Sequence, residues 1–224
     1  MNTKLNSAQG QQGFSLIELI IAMTMTLIVA GASATLLGQS FRMRSREDIR
    51  SDAIADAQRA LNIVSREIAN SGFGLIDNGI VPGDTNNVSI RVRANLNAYT
   101  LEPNNKVVGD PDEDIKYLMY HDDAENRHYL VRLDAVVALT DRAKATTVLA
   151  NRLDDFRLDY FDGSGALLNL AADPLAVRNA WKVRITVGVN LPADGIRGEP
   201  GYQPASSVQL ISDVVLRNTS QITF

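Results

Sequence analysis

Three patterns of apolar and polar positions follow one another along the chain. Residues 1–13 are polar and show no periodicity. From Phe14 to about Leu37 the sequence is apolar on every side, broken by a single acid, Glu18. A run of about 24 residues makes ~36 Å of helix, enough to cross a hydrocarbon core. Beyond Phe41, Ile54, Ala57, Leu61, Val64 and Ile68 recur at three- and four-residue steps, while Arg59, Arg66 and Glu67 fall largely on the other face. Such a stripe predicts a helix that lays one face on a sheet. The reading is therefore one long helix over 14–70, with a membrane span at 14–37. Asn70-Ser71-Gly72-Phe73-Gly74 ends it, with Gly72 or Gly74 free to take positive φ.

From residue 71 to 224 the period falls to two. Val88, Ile90 and Val92 alternate with Ser89, Arg91 and Arg93. Ile115, Tyr117 and Met119 do the same, and so do Trp181, Val183, Ile185, Val187 and Val189. These are half-buried strands. Asp122, Asp123, Glu125 and Asn126 separate the runs 116–120 and 128–133, which predicts a hairpin with a polar tip. Phe156, Leu158 and Tyr160 lead into Asp162-Gly163-Ser164-Gly165, read as a second hairpin turn. Val208–Leu216 is a final strand. The glycines and prolines of 191–204 mark a surface loop. The fold class is α+β: a long N-terminal helix packed on an antiparallel β-rich head.

The junction Gly13-Phe14-Ser15-Leu16-Ile17-Glu18-Leu19 carries the chemistry. An acid inside a membrane segment costs on the order of 2.5–3.5 kcal/mol, so it needs a reason. A secretory signal peptide does not fit, because its cut site follows a short apolar region. Here the small residue precedes the run, and cleavage there would retain the apolar segment. The junction resembles the class III signal of type IV prepilins and type II secretion pseudopilins. That resemblance implies a membrane peptidase that cuts after Gly13 and methylates the new amine of Phe14. It also places the family's assembly glutamate at Glu18. A free amine at Phe14 would be largely cationic at neutral pH, with a pKa of about 8. One helical turn separates it from Glu18, so the two charges would neutralise each other within a subunit or between neighbours. The small residues Gly31, Ala32, Ser33 and Ala34 would let another helix approach closely.

Residues 60–72, with Tyr129–Leu133 and Val215–Asn218, further resemble PilW-type minor pilins first and the GspJ pseudopilin second. The resemblance implies insertion in a bacterial inner membrane with the head in the periplasm, then passage to a pilus at the cell surface. Its implied partners are the prepilin peptidase, other minor and major pilins, the inner-membrane assembly platform and the lipid bilayer. The chain departs from many major pilins in having no proline in the apolar half and no cysteine. Arg42, Arg44 and Arg46 follow the span at once, and the positive-inside rule would place them in the cytoplasm. The prepilin junction places the leader there instead, and its specificity outweighs the charge count.

Composition narrows the remaining chemistry. Net charge is −4 and pI about 5.2, so phosphate neutralisation along a nucleic acid is not indicated. Without cysteine there is neither a thiol nucleophile nor a zinc-thiolate site. His121 and His128 flank the hairpin tip, and no phosphate-binding loop, nucleophile elbow or zinc-protease motif is present. An enzyme is not expected. Asp110, Asp112, Glu113 and Asp114 form an acidic loop and give a calcium candidate at Asp110, Asp112 and Asp114, although their spacing matches no EF-hand. The sequence thus leaves three roles: a minor pilin that initiates or caps assembly, a secretion pseudopilin, and an anchored binding module that never polymerises.

Overall fold

The computed structural model describes residues 13–97, 109–151, 153–198 and 201–218. Helix α1 runs unbroken over Leu16–Ala69. Nothing in that span breaks it, since it holds no proline. Its threonines turn inward on the backbone. Thr24 Oγ1 donates to the Ile20 carbonyl at 3.0 Å, Thr26 to Ala22 at 2.7 Å and Thr35 to Ala32 at 2.7 Å. Each hydroxyl is satisfied within the helix, which suits a helix without water around it. The most apolar stretch has a mean hydropathy of 2.0 and buries nothing against the rest of the chain.

The helix stops where glycine permits. Gly72 and Gly74 both have positive φ, at 79° and 68°. The Gly72 N–H donates to the Arg93 carbonyl at 2.8 Å, and the Arg93 N–H donates to the Gly79 carbonyl at 2.7 Å. A Cβ on Gly79 would lie 2.2 Å from the Gly72 nitrogen and 2.3 Å from the Arg93 oxygen. The chain leaving α1 is therefore stitched to the head at a place where no side chain fits.

The head holds two antiparallel sheets. The first has the order β1-β2-β3-β4, with β1 Ser89–Arg93, β2 Asp114–Asp122, β3 Arg127–Asp134 and β4 Thr146–Ala150. The second has the order β5-β6-β7, with β5 Asp155–Phe161, β6 Lys182–Leu191 and β7 Ser206–Val215. The β2–β3 hairpin turns at residues 123–126, where Asn126 takes φ 50°. A four-residue helix α2, Arg142–Ala145, precedes β4. One core joins all three layers. Ala53, Ala57, Ala60, Leu61, Val64 and Ile68 of α1 meet Ile90, Tyr117 and Leu130 of the first sheet and Leu158, Tyr160, Val183 and Ile185 of the second. The alanines keep the helix surface low, so the backbone approaches the sheets closely.

Three expectations need correction. The α1 stripe is set by Ala53 and Ala60, and Ile54 is only half-buried at its edge. Glu67 is not on the outer face but half-buried among head residues. Trp181 precedes β6 and stays 43% exposed, because the inward alternation begins at Val183. Asp162–Gly165 is a tight turn, with the Asp162 N–H donating to the Ala166 carbonyl at 3.0 Å. It closes a short hairpin as expected, with the Leu168 N–H donating to the Tyr160 carbonyl at 2.8 Å and an antiparallel bridge from Phe161 to Leu167, while the strand that pairs with β5 along its length is β6. Strand β4 was not foreseen, since its outer positions Thr146, Thr147 and Val148 give no apolar alternation.

Candidate processing and assembly site

Gly13, Phe14 and Ser15 lie ahead of α1 and all are exposed. Ser15 is the N-cap, with extended φ −69° and ψ 144°, and its carbonyl accepts the Leu19 N–H at 3.1 Å. The Gly13–Phe14 peptide bond thus sits outside the helix, on exposed chain. No atom lies within 4 Å of a Cβ built on Gly13, so the need for a small residue there is not imposed by this chain's own packing. It is consistent with close contact to another molecule.

Glu18 occupies the first turn of α1, where an acid meets the positive end of the helix dipole. Ser15 and Glu18 have the spacing of a capping box, yet the Ser15 side chain makes no cap hydrogen bond. Glu18 is exposed, and among the described residues no hydrogen bond or ion pair engages it. Its carboxylate is left available to a partner outside the present contacts. The apolar surface behind it is equally uncovered: Phe14 is 84% exposed and Leu27 77%. Gly31 and Gly38 have nothing within 4 Å of a built Cβ, so that side of the helix is open to a close neighbour.

The other end of α1 is held by charge as well as by core contacts. The Tyr117 hydroxyl donates to the Glu67 carboxylate. Arg132 Nε donates to the same carboxylate at 3.1 and 3.2 Å, and its Nη2 reaches Asp112 Oδ1 at 2.6 Å. Burial, and then the Glu67 charge, pushes the Tyr117 hydroxyl well above its ordinary pKa. It therefore stays a protonated donor throughout the physiological range. This cluster ties the helix exit to β2 and β3. Its signal in sequence was faint: an acid one residue before a core isoleucine, on a face read as outward.

The acidic loop is divided among separate tasks. The Glu113 carboxylate is buried and accepts the backbone N–H groups of Leu96 at 2.8 Å and of Gly109 and Asp110 at 3.1 Å. Asp114 receives Arg91 at 2.6 and 2.9 Å and Arg93 at 2.9 Å. Asp112 receives Arg132, and Asp110 receives Asn97 Nδ2 at 2.7 Å. Among the described residues no three acids or histidines gather in a metal-holding group. His121 and His128 face each other across the hairpin with ring centroids 4.5 Å apart, and His121 Nε2 is 3.2 Å from Asp123.

Residues 9–34 match the family model of the prokaryotic N-terminal methylation motif. The matched residues cover the cleavage junction, Glu18 and most of the apolar half of α1, and they stop short of the head. The match supports a type IV pilin-like prepilin anchored through its N-terminal helix. No curated protein and no solved structure matches the chain.

Proposed function

We propose that this chain is a minor pilin, most like the PilW type. In this reading it is a structural subunit, inserted in the inner membrane as a prepilin. It is cut between Gly13 and Phe14 and methylated at the Phe14 amine. It then enters a pilus through α1 and helps to start or cap the filament. The prepilin peptidase, the assembly platform and other pilins are its partners, and its head lies in the periplasm before assembly.

One observation carries the reading. The methylation motif opens a single helix whose first half is wholly uncovered while its second half is the spine of a folded head. An anchor alone has no use for an acid in its first turn. A filament core does, because cleavage makes an amine that the acid would neutralise. The intact mass of protein extracted from membranes is the test. The expected mature species begins at a methylated Phe14, and Gly13→Leu should leave an uncut precursor. A mature terminus elsewhere would sink the proposal.

A further inference from the structure

Between the head and the stretch of α1 just past the membrane half lies a cleft of about 670 Å³. Arg42 and Arg46 stand on its helix side, and Ile49, Leu153, Val189 and Leu191 give it an apolar interior. Arg46 is held in place from the head: Nη1 donates to the Gln203 carbonyl at 3.2 Å and Nη2 to the Pro204 carbonyl at 2.5 Å. Neutral carbonyls fix its position but leave its charge uncompensated. Arg42 and Arg44 are exposed, and among the described residues no carboxylate pairs with Arg42, Arg44 or Arg46. Further along α1 the rule changes, since Arg50 pairs with Glu47 at 3.8 Å and Arg59 with Asp56 at 3.6 Å.

We infer that this arginine collar binds the phosphate of an anionic phospholipid in the leaflet on the head side of the membrane. The inference rests on the reading of 14–37 as a membrane span. Arg42 lies five residues past Leu37, which at 1.5 Å per residue is about 7.5 Å of helix. That height is the headgroup layer of a bilayer. Helical side chains lean toward the N-terminal end, so Arg42 and Arg46 point back toward the membrane. Guanidinium forks bind phosphate oxygens in pairs. The cleft wall also carries Asp194 and Asp154, and the Asp154 carboxylate already accepts the Asn190 N–H at 2.5 Å. A monoanionic phosphodiester between Arg42 and Arg46 would supply the counter-charge that no described carboxylate gives them. Its glycerol backbone would meet the apolar interior. The collar would also resolve the conflict with the positive-inside rule, because these cations would have a lipid partner on the head side.

The test is native mass spectrometry of the detergent-purified full chain, titrated with phosphatidylglycerol, phosphatidylcholine or soluble glycerol phosphate. The expected result is preferential retention of phosphatidylglycerol over phosphatidylcholine, with glycerol phosphate bound far more weakly. Arg42→Gln and Arg46→Gln should each weaken phosphatidylglycerol binding about fivefold, and Arg59→Gln should leave it unchanged. Among the described residues Arg42 makes no side-chain hydrogen bond or ion pair, so its variant stays informative even if Arg46→Gln loosens the 203–204 loop. Equal retention of both lipids, or an unaltered Arg42→Gln, would overturn the proposal. Tight binding of glycerol phosphate would assign the site to a free phosphate instead. Normal lipid binding with loss of Arg42→Gln protein from filaments would assign it to an acidic segment of a neighbouring subunit. A wild-type chain that fails to enter bilayers would overturn the membrane reading itself.

Discussion

Leu27 and Leu61 sit on the same helix with opposite fates. Leu27 is 77% exposed and Leu61 is 4% exposed. Local propensity does not separate them, because both are strong helix formers in a proline-free segment. The difference is what surrounds each half. Around Leu27 every helix face is apolar, so no single face is selected and the partner must be lipid or other helices. Around Leu61 one face is apolar and the other charged, so the fold itself supplies the partner. The comparison assigns stability of the head to the second half, and the proposed function gives assembly to the first.

Paired substitutions test that division. Leu61→Asp should abolish the cooperative near-UV circular dichroism transition of the detergent-solubilised chain. It buries an unpaired carboxylate in the apolar core that joins α1 to the two sheets, a cost of about 3–5 kcal/mol or more. Leu27→Asp should leave that transition unchanged while lowering membrane insertion, by about 2.5–3.5 kcal/mol at the span centre. If Leu61→Asp unfolds normally, the stripe faces other subunits and the division is wrong.

Gly79→Ala comes next. Its Cβ meets backbone at 2.2 and 2.3 Å and its φ is +72°, so the neighbours must shift. A loss of about 2–3 kcal/mol is expected in thermal unfolding. Gly31→Ala meets nothing within 4 Å and should leave the head transition unmoved. A larger Gly31→Leu should act only on assembly, read as recovery in sheared filaments.

The two glutamates make the third pair. Glu67→Ala removes the acceptor for Tyr117 and Arg132 and should destabilise the head by about 1–3 kcal/mol. Glu18→Ala should leave the melting temperature in place and reduce incorporation into filaments. A shift in melting temperature with Glu18→Ala, or normal filament numbers, would contradict its assignment to assembly.

The smallest effect is a pH dependence confined to the head. The Arg184 hydrogen bond, joined by Lys182, lowers the Asp213 carboxyl to about 2. An unfolded aspartate titrates near 4. The folded value is depressed, so this stabilisation is complete above about pH 4 and is lost as pH falls toward 2. The pair is more than a third exposed, so its contribution stays under about 1 kcal/mol. Arg184→Gln should flatten the dependence of the melting midpoint over that window. An unchanged slope would remove the pair from the account.

The long helix, its glycine stop and the main strands were legible because each rests on local pattern. The methylation motif over residues 9–34 was legible for the same reason, and the roles proposed for Gly13, Phe14 and Glu18 rest on it. β4 was not legible, because Thr146 and Thr147 carry no burial period and the strand exists only through its pairing with β3. The acidic loop shows the same limit from the other side. Asp110, Asp112 and Asp114 share one short loop, yet Asp112 receives Arg132 of β3, Asp114 receives Arg91 of β1 and Asp110 receives Asn97, pairings that the loop's own residues do not announce.

Sequence alone determined that an apolar helix begins within a methylation motif and continues into an amphipathic half, because helix formation and hydrophobic period are properties of consecutive residues. Tertiary structure decided which face of that second half is buried, where Glu67 is satisfied, and that Arg46 is held by carbonyls more than 150 residues away. Those outcomes depend on the two sheets closing around the helix. That closure sets distances between residues whose separation along the chain carries no such information.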